Sequence, residues 1–131
     1  MDTVLAKMIS TAANALPHSY APYSKFTVAC CIRTDQDNLY TGINVENSSY
    51  GLTLCAETSA IAAMVTAGEQ HIKEMVVLAG NNQLCSPCGG CRQRIHEFAT
   101  PDTIIHLCDK KTVLRSITIN ELLPLAFDFN L

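Results

Sequence analysis

Three cysteines and one glutamate carry the chemistry that this sequence makes legible. Cys88 and Cys91 stand three apart in PCGGC, behind Pro87, and Cys55 precedes Glu57 by two residues in CAE. Residues three apart at a helix start share a face, so the sulfurs of Cys88 and Cys91 can converge. Two thiolates at that spacing make half of a tetrahedral zinc site. Taken alone, a C-x-x-C suits a redox pair, a structural zinc or no function at all. A structural zinc would want a second C-x-x-C or a pair of histidines. Neither is present: Cys30 and Cys31 are adjacent, and His18, His71, His96 and His106 fall singly.

A third sulfur from Cys55 leaves the fourth position open, which is the mark of a catalytic zinc. Water held there loses a proton far more readily than bulk water. Glu57 is then the natural proton carrier, set against the plainer reading of a carboxylate in a helix's first turn. Residues two apart do not share a helical face, so Cys55 must sit in the first turn of its helix, with the helix end towards the metal. The same holds for Cys88, and two helix N-termini aimed at one ion would favour thiolates. Cys30, Cys31 and Cys108 lie in strand-like runs and read as core; Cys85 reads as loop packing.

The elements that position these residues can be outlined from pattern. Apolar residues from Val4 to Leu16 form a helical stripe that stops at Pro17, and HSYAPYSK reads as loop. FTVACCIRT and NLYTGINVE read as a hairpin turned by DQDN. Residues 54 to 67, rich in alanine, suit a helix that Gly68 could close. EMVVLAG has the continuous apolar character of a strand covered on both faces. GGCRQRIHEFA reads as a helix ending before Pro101, followed by strands TIIHLCD and TVLRSIT and a short helical turn in INELLPLAF, broken at Pro124. That order indicates one mixed sheet layered with helices.

Bulk properties narrow the function. At 131 residues the chain suits one domain, residues 1–131, with no internal repeat or linker. A net charge of −3 with no lysine or arginine run argues against tracking a polynucleotide. No apolar stretch approaches the ~20 residues of a membrane helix, and MDTVLAKMIS does not resemble a signal peptide. Seven cysteines, two of them adjacent, suit a cytoplasmic protein with free thiols and a metal better than a disulfide framework. The expected partner is a small molecule, with no nucleic acid and no membrane. An apolar content of 48% leaves room for association of identical subunits.

CAE followed by PCGGCRQ resembles the zinc-dependent cytidine deaminases, in the three-cysteine form of the small homotetrameric enzymes that act on free nucleosides. The resemblance runs from YAPYSKF through GINVENSSY to ELLPLAF. It implies an α/β fold, a three-layer α-β-α sandwich around a single mixed sheet of about five strands. It also implies one Zn²⁺ per subunit on Cys55, Cys88 and Cys91, with water or hydroxide as fourth ligand attacking C4 of cytosine. Glu57 would shuttle the protons, so that cytidine and 2′-deoxycytidine become uridine and 2′-deoxyuridine with loss of ammonia, a step of pyrimidine salvage. By the same resemblance Asn44 and Glu46 bind the ribose, Phe26 packs on the pyrimidine, and the Ala56 backbone N–H meets the 2-oxo group. Tyr50 and Phe127 would reach a neighbouring subunit's site, making a homotetramer part of the active site. The plainer readings are a turn for Asn44 and Glu46, core for Phe26, and interface packing for Tyr50 and Phe127. Deaminases of modified cytosine nucleosides or of blasticidin S-like analogues, polynucleotide editors, and a zinc-stabilised binding module without activity are the rival functions.

One position departs from the family's usual pattern, in which arginine follows the glutamate; here it is Thr58. Three thiolates around Zn²⁺ sum to −1, and Thr58 brings no charge. Compensation is expected from the two helix ends and from Arg92 or Arg94.

Overall fold

The computed structural model describes residues 1–129. Helix α1 (Thr3–Ala15) opens where the Asp2 carboxylate accepts from the Leu5 N–H at 2.7 Å, meeting one of the donors a helix start leaves unpaired. Its apolar stripe buries Leu5, Met8, Ile9 and Ala12, and the helix tightens into a 3-10 turn, Leu16–His18, around Pro17. Strands β1 (Val28–Thr34) and β2 (Leu39–Ile43) form the expected hairpin, with Cys31 opposite Thr41. Helix α2 (Ala56–Thr66) follows a 3-10 turn at Tyr50–Leu52 that the sequence pattern did not announce. Then come β3 (Ile72–Ala79), α3 (Gly89–Phe98), β4 (Ala99–Cys108), β5 (Val113–Thr118) and the short α4 (Ile119–Leu122).

The five strands form one mixed sheet in the order β2-β1-β3-β4-β5, with β3 and β4 parallel and every other pair antiparallel. Alternation along each strand divides the core in two. On one face, Ala29, Cys31, Val76, Leu78 and Cys108 pack beneath α1. On the other, Cys30, Ile32, Met75, Val77, Ile105 and Leu107 pack with Ile61 and Met64 of α2, Ile95 of α3 and Ile119 and Leu122 of α4. The adjacent Cys30 and Cys31 therefore point into different cores. Met75 to Ala79 are fully buried, which is why β3 reads as an unbroken apolar run. Toward β5 the α1 face turns polar: Glu74 pairs with Arg33 and, at 2.8 Å, with His106, whose other ring nitrogen meets Ser116 at 2.8 Å.

Two features differ from the sequence outline. Strand β4 starts at Ala99, directly after α3, and runs through Pro101. Its register with β3 shifts between Ile72 and Glu74, and there Thr103 takes over the pairing. The Thr103 hydroxyl donates to the Ile72 carbonyl at 2.6 Å and accepts from the Thr100 N–H at 2.9 Å. These side-chain bonds let a strand continue past a residue that has no N–H to donate.

The second concerns the seating of α2. A Cβ on Gly42 of β2 would lie 2.3 Å from the Ala60 nitrogen and 2.4 Å from the Ala56 carbonyl oxygen. Helix backbone rests directly on strand backbone here, an approach open only to glycine. That contact sets the height of the first turn of α2 above the sheet.

Candidate active site

Strands β2 and β3 are both antiparallel to β1, so the chain leaves both at the same end of the sheet. Each is followed by a helix, α2 or α3, on the same face. Both helices therefore begin at that end with their N-termini facing one another. Cys55 is the N-cap of α2 and Cys88 the N-cap of α3, and neither side chain makes a capping hydrogen bond. Cys91 lies in the first turn of α3.

The three sulfurs all lie within 4.8 Å of one another, with Cys55 and Cys88 at 3.9 Å. A tetrahedral zinc with bonds of about 2.3 Å sets its sulfurs roughly 3.8 Å apart. The cluster therefore fits one zinc ion. Local electrostatics differ at each thiol. The Cys91 N–H holds the Cys88 thiol below its usual range, despite opposition from burial. Burial, then the charge of Glu57, pushes Cys91 up to about 12, with the Thr58 hydroxyl pulling the other way. Burial also raises Cys55. A dication supplies the counter-charge that Cys55 and Cys91 otherwise lack, so its binding must release protons.

Glu57 is 4% exposed, and burial raises its carboxyl above the ordinary carboxylate range. It lines a cavity of about 260 Å³ with Phe26, Val28, Asn44, Thr53, Cys55, Ala56, Cys85, Ser86 and Cys88. A carboxyl that holds its proton more tightly than usual, beside a metal-binding cluster, is suited to carrying protons.

The remaining candidates fall into three places. Phe26, Asn44 and Ala56 share the Glu57 cavity. The Asn44 amide accepts from the Val28 N–H at 3.0 Å and donates to the Phe26 carbonyl at 2.8 Å, which fixes how Phe26 stands over the cavity. One N–H and one lone pair of that amide remain for a ligand. Glu46 and Tyr50 line a second cavity of about 310 Å³ with Tyr23, Ser24 and Thr53; Thr53 borders both, so the two adjoin. Glu46 accepts from the Tyr23 and Ser24 N–H groups at 3.0 and 3.1 Å and from the Ser24 hydroxyl, which chiefly holds its carboxyl below the usual range. Phe127 stands apart, 71% exposed, its carbonyl accepting from Gln93 at 2.9 Å.

Sequence reasoning missed Thr53, Ser86 and Val28 as cavity walls and treated Cys85 only as loop packing. Cys85 is half-buried, packs on the core beneath the helices and lines the cavity. Its signal was proximity alone, three residues ahead of Cys88.

Comparison with known proteins gives a consistent result. Residues 3–107 match the family model described as the cytidine and deoxycytidylate deaminase zinc-binding region. A cytidine deaminase of Mycoplasma pneumoniae is 45% identical over 112 residues, 84% of either chain. One from Sporosarcina psychrophila is 37% identical over 121 residues, 92% of this chain and 89% of its own. Among solved structures, the cytidine deaminase of Burkholderia pseudomallei superposes with a TM-score of 0.87 at 33% identity, covering 97% of this chain and all of that one. The Mycobacterium tuberculosis cytidine deaminase gives 0.85 at 33% identity, covering 98% and 100%.

Proposed function

Since the chain belongs to the cytidine and deoxycytidylate deaminase family, a family of zinc-dependent hydrolases, we propose that it converts cytidine and 2′-deoxycytidine, with water, to the uridine nucleosides and ammonia. The observation that carries this reading is the meeting, in one cavity, of the buried Glu57 carboxyl and cysteines of the three-sulfur cluster. Cys55, Cys88 and Cys91 hold the metal. When bound, zinc supplies a Lewis acid that makes water nucleophilic at neutral pH.

Glu57 takes a proton from the attacking water, delivers it to ring N3 and later helps protonate the departing amine. Its raised carboxyl suits both directions of that transfer. The Ala56 N–H, at the free start of α2, donates to the 2-oxo group. Phe26 covers one face of the ring, and Asn44 offers the free half of its amide to the sugar. Glu46 accepts from a ribose hydroxyl while sharing its oxygens with the Tyr23–Ser24 segment, which ties that segment to the sugar. The residues lining the two cavities include two carboxylates and, among the described residues, no lysine or arginine. That balance favours an uncharged nucleoside over a phosphorylated one.

Tyr50 and Phe127, 78% and 71% exposed, complete sites of neighbouring subunits in a homotetramer. Pyrimidine salvage in the cytoplasm is the setting this implies, and it accords with seven free cysteines. Among the described residues no helix is long and apolar enough to cross a membrane.

The test is to incubate the zinc-loaded protein with cytidine and follow uridine and ammonia, with and without a chelator. Equal yields of both products, lost on chelation, are expected. Glu57→Gln should keep its zinc and lose about 10²–10⁴-fold in turnover. Product formation untouched by that substitution would remove Glu57 from the mechanism.

A further inference from the structure

The thiolate cluster faces an imbalance of charge. Three thiolates around a dication leave −1, held in a partly dry site where an uncompensated charge is costly. Residue 58, one position past the proton carrier, is a threonine. Its hydroxyl lies 3.6 Å from the Cys91 sulfur and can donate one hydrogen bond, without charge.

Two arginines of α3 are near enough to help, and the structure separates them. All three nitrogens of Arg92 are engaged elsewhere. Its Nε donates to the Pro87 carbonyl at 2.9 Å, one terminal nitrogen to the Leu122 carbonyl at 2.8 Å, and the other to the Ser86 hydroxyl at 2.8 Å. It ties the loop before Cys88 to the end of α4. Arg94 turns the other way, and its Nη1 lies 3.9 Å from the Cys91 sulfur. Among the described residues it alone brings a cationic head within hydrogen-bond reach of one of the three sulfurs. Room for it comes from Gly90, where an added Cβ would lie 3.1 Å from that same nitrogen. A side chain at residue 90 would crowd the guanidinium away from the cluster.

We propose that Arg94, laid across Gly90 onto the Cys91 sulfur, is the charge-balancing residue of the zinc site, supplying from α3 the positive charge that Thr58 does not supply from α2. Arg94 acts through Cys91 and is a positioning residue, not one that touches substrate. The proposal rests on the assignment of Cys55, Cys88 and Cys91 as zinc ligands. Its location has a consequence: the compensating charge sits on the one buried sulfur of the three. Cys88, the exposed one, has solvent to screen its charge and less need of it.

The experiment measures zinc affinity by competition with a chromophoric chelator, using the full-length protein. Arg94→Gln should weaken zinc binding about tenfold, the lower end of what loss of a partner to a metal ligand costs, because the side chain is exposed. Arg94→Lys, which keeps the charge, should recover part of that loss. The zinc-free Arg94→Gln protein should melt at the wild-type temperature. Unchanged zinc affinity in Arg94→Gln would overturn the proposal, as would a lysine variant no better than glutamine. A lowered melting temperature without zinc would assign Arg94 to packing and overturn it too. Cys91→Ser distinguishes the underlying assignment: if that variant still binds zinc as the wild type does, the ligand set itself is wrong, whatever Arg94 does.

Discussion

Two pairs of helix N-termini in this molecule follow opposite rules. Helices α1 and α4 are capped as stability asks. Asp2 accepts from the Leu5 N–H, and Thr118 with Glu121 forms a reciprocal capping box. Helices α2 and α3 begin instead at Cys55 and Cys88, whose side chains make no capping hydrogen bond, although the Cys91 N–H favours the Cys88 thiolate. A missing side-chain cap costs about 1 kcal/mol at each helix. The first pair is built for the fold, and the second leaves its free N–H groups and positive helix ends to serve a ligand.

Several substitutions would break or sharpen that contrast. The largest effect is expected from Cys88→Ser. Zinc should be lost or bound orders of magnitude more weakly, since the thiolate ligands supply most of the binding free energy. Yet the zinc-free variant should be no less stable than the wild type, and up to about 1 kcal/mol more stable, because serine is a good N-cap. Chelator competition and thermal melting read the two effects separately. A zinc-free Cys88→Ser protein that melts early would show that the cysteine serves the fold as well.

Next in size is Gly42→Ala. The added carbon meets helix backbone at 2.3–2.4 Å, so α2 must lift from the sheet. A loss of about 1–3 kcal/mol is expected from overpacking, together with weaker zinc binding because Cys55 moves with the helix. Denaturant unfolding with and without zinc would reveal whether the two losses travel together.

Glu57→Gln tests the buried carboxyl as a liability to the fold. The folded chain holds this proton more tightly than the unfolded chain, so stability falls as pH rises from the ordinary carboxylate range towards the raised folded value. In zinc-free protein the glutamine variant should therefore melt higher than the wild type at neutral pH. The difference should vanish at a pH below the ordinary carboxylate range, where both states are protonated. A difference that persists there would point to packing instead of charge. The smallest effect belongs to Asp2→Ala, which should cost about 1 kcal/mol and leave zinc affinity unchanged. Were Asp2→Ala to alter the metal site, the two kinds of helix start would not be independent.

Periodicity and punctuation made most of the scaffold readable: the Val4–Leu16 stripe ending at Pro17, the hairpin around DQDN, and the unbroken run of β3. Cys55 and Cys88 could be placed at helix starts because residues two apart cannot share a helical face. Less legible was whatever depends on contact across elements. Nothing local announces that Gly42 lies against Ala56 and Ala60, or that Thr103 carries β4 past Pro101. The pattern also could not choose between Arg92 and Arg94, neighbours of similar chemistry. Arg92 is drawn to the end of α4 and Arg94 to Cys91, and only the packed arrangement separates them. For the same reason Glu46 and Asn44, two residues apart in NVEN, border different cavities.

The sulfurs come from two stretches of chain more than thirty residues apart, so a bound ion also works as a removable rivet between α2 and α3. Any ligand held by the folded chain and not by the unfolded one raises stability in proportion to the logarithm of its concentration. Scarcity of the metal would thus loosen the seam between two helices as well as silence the chemistry, and abundance of the protein would follow the supply of zinc.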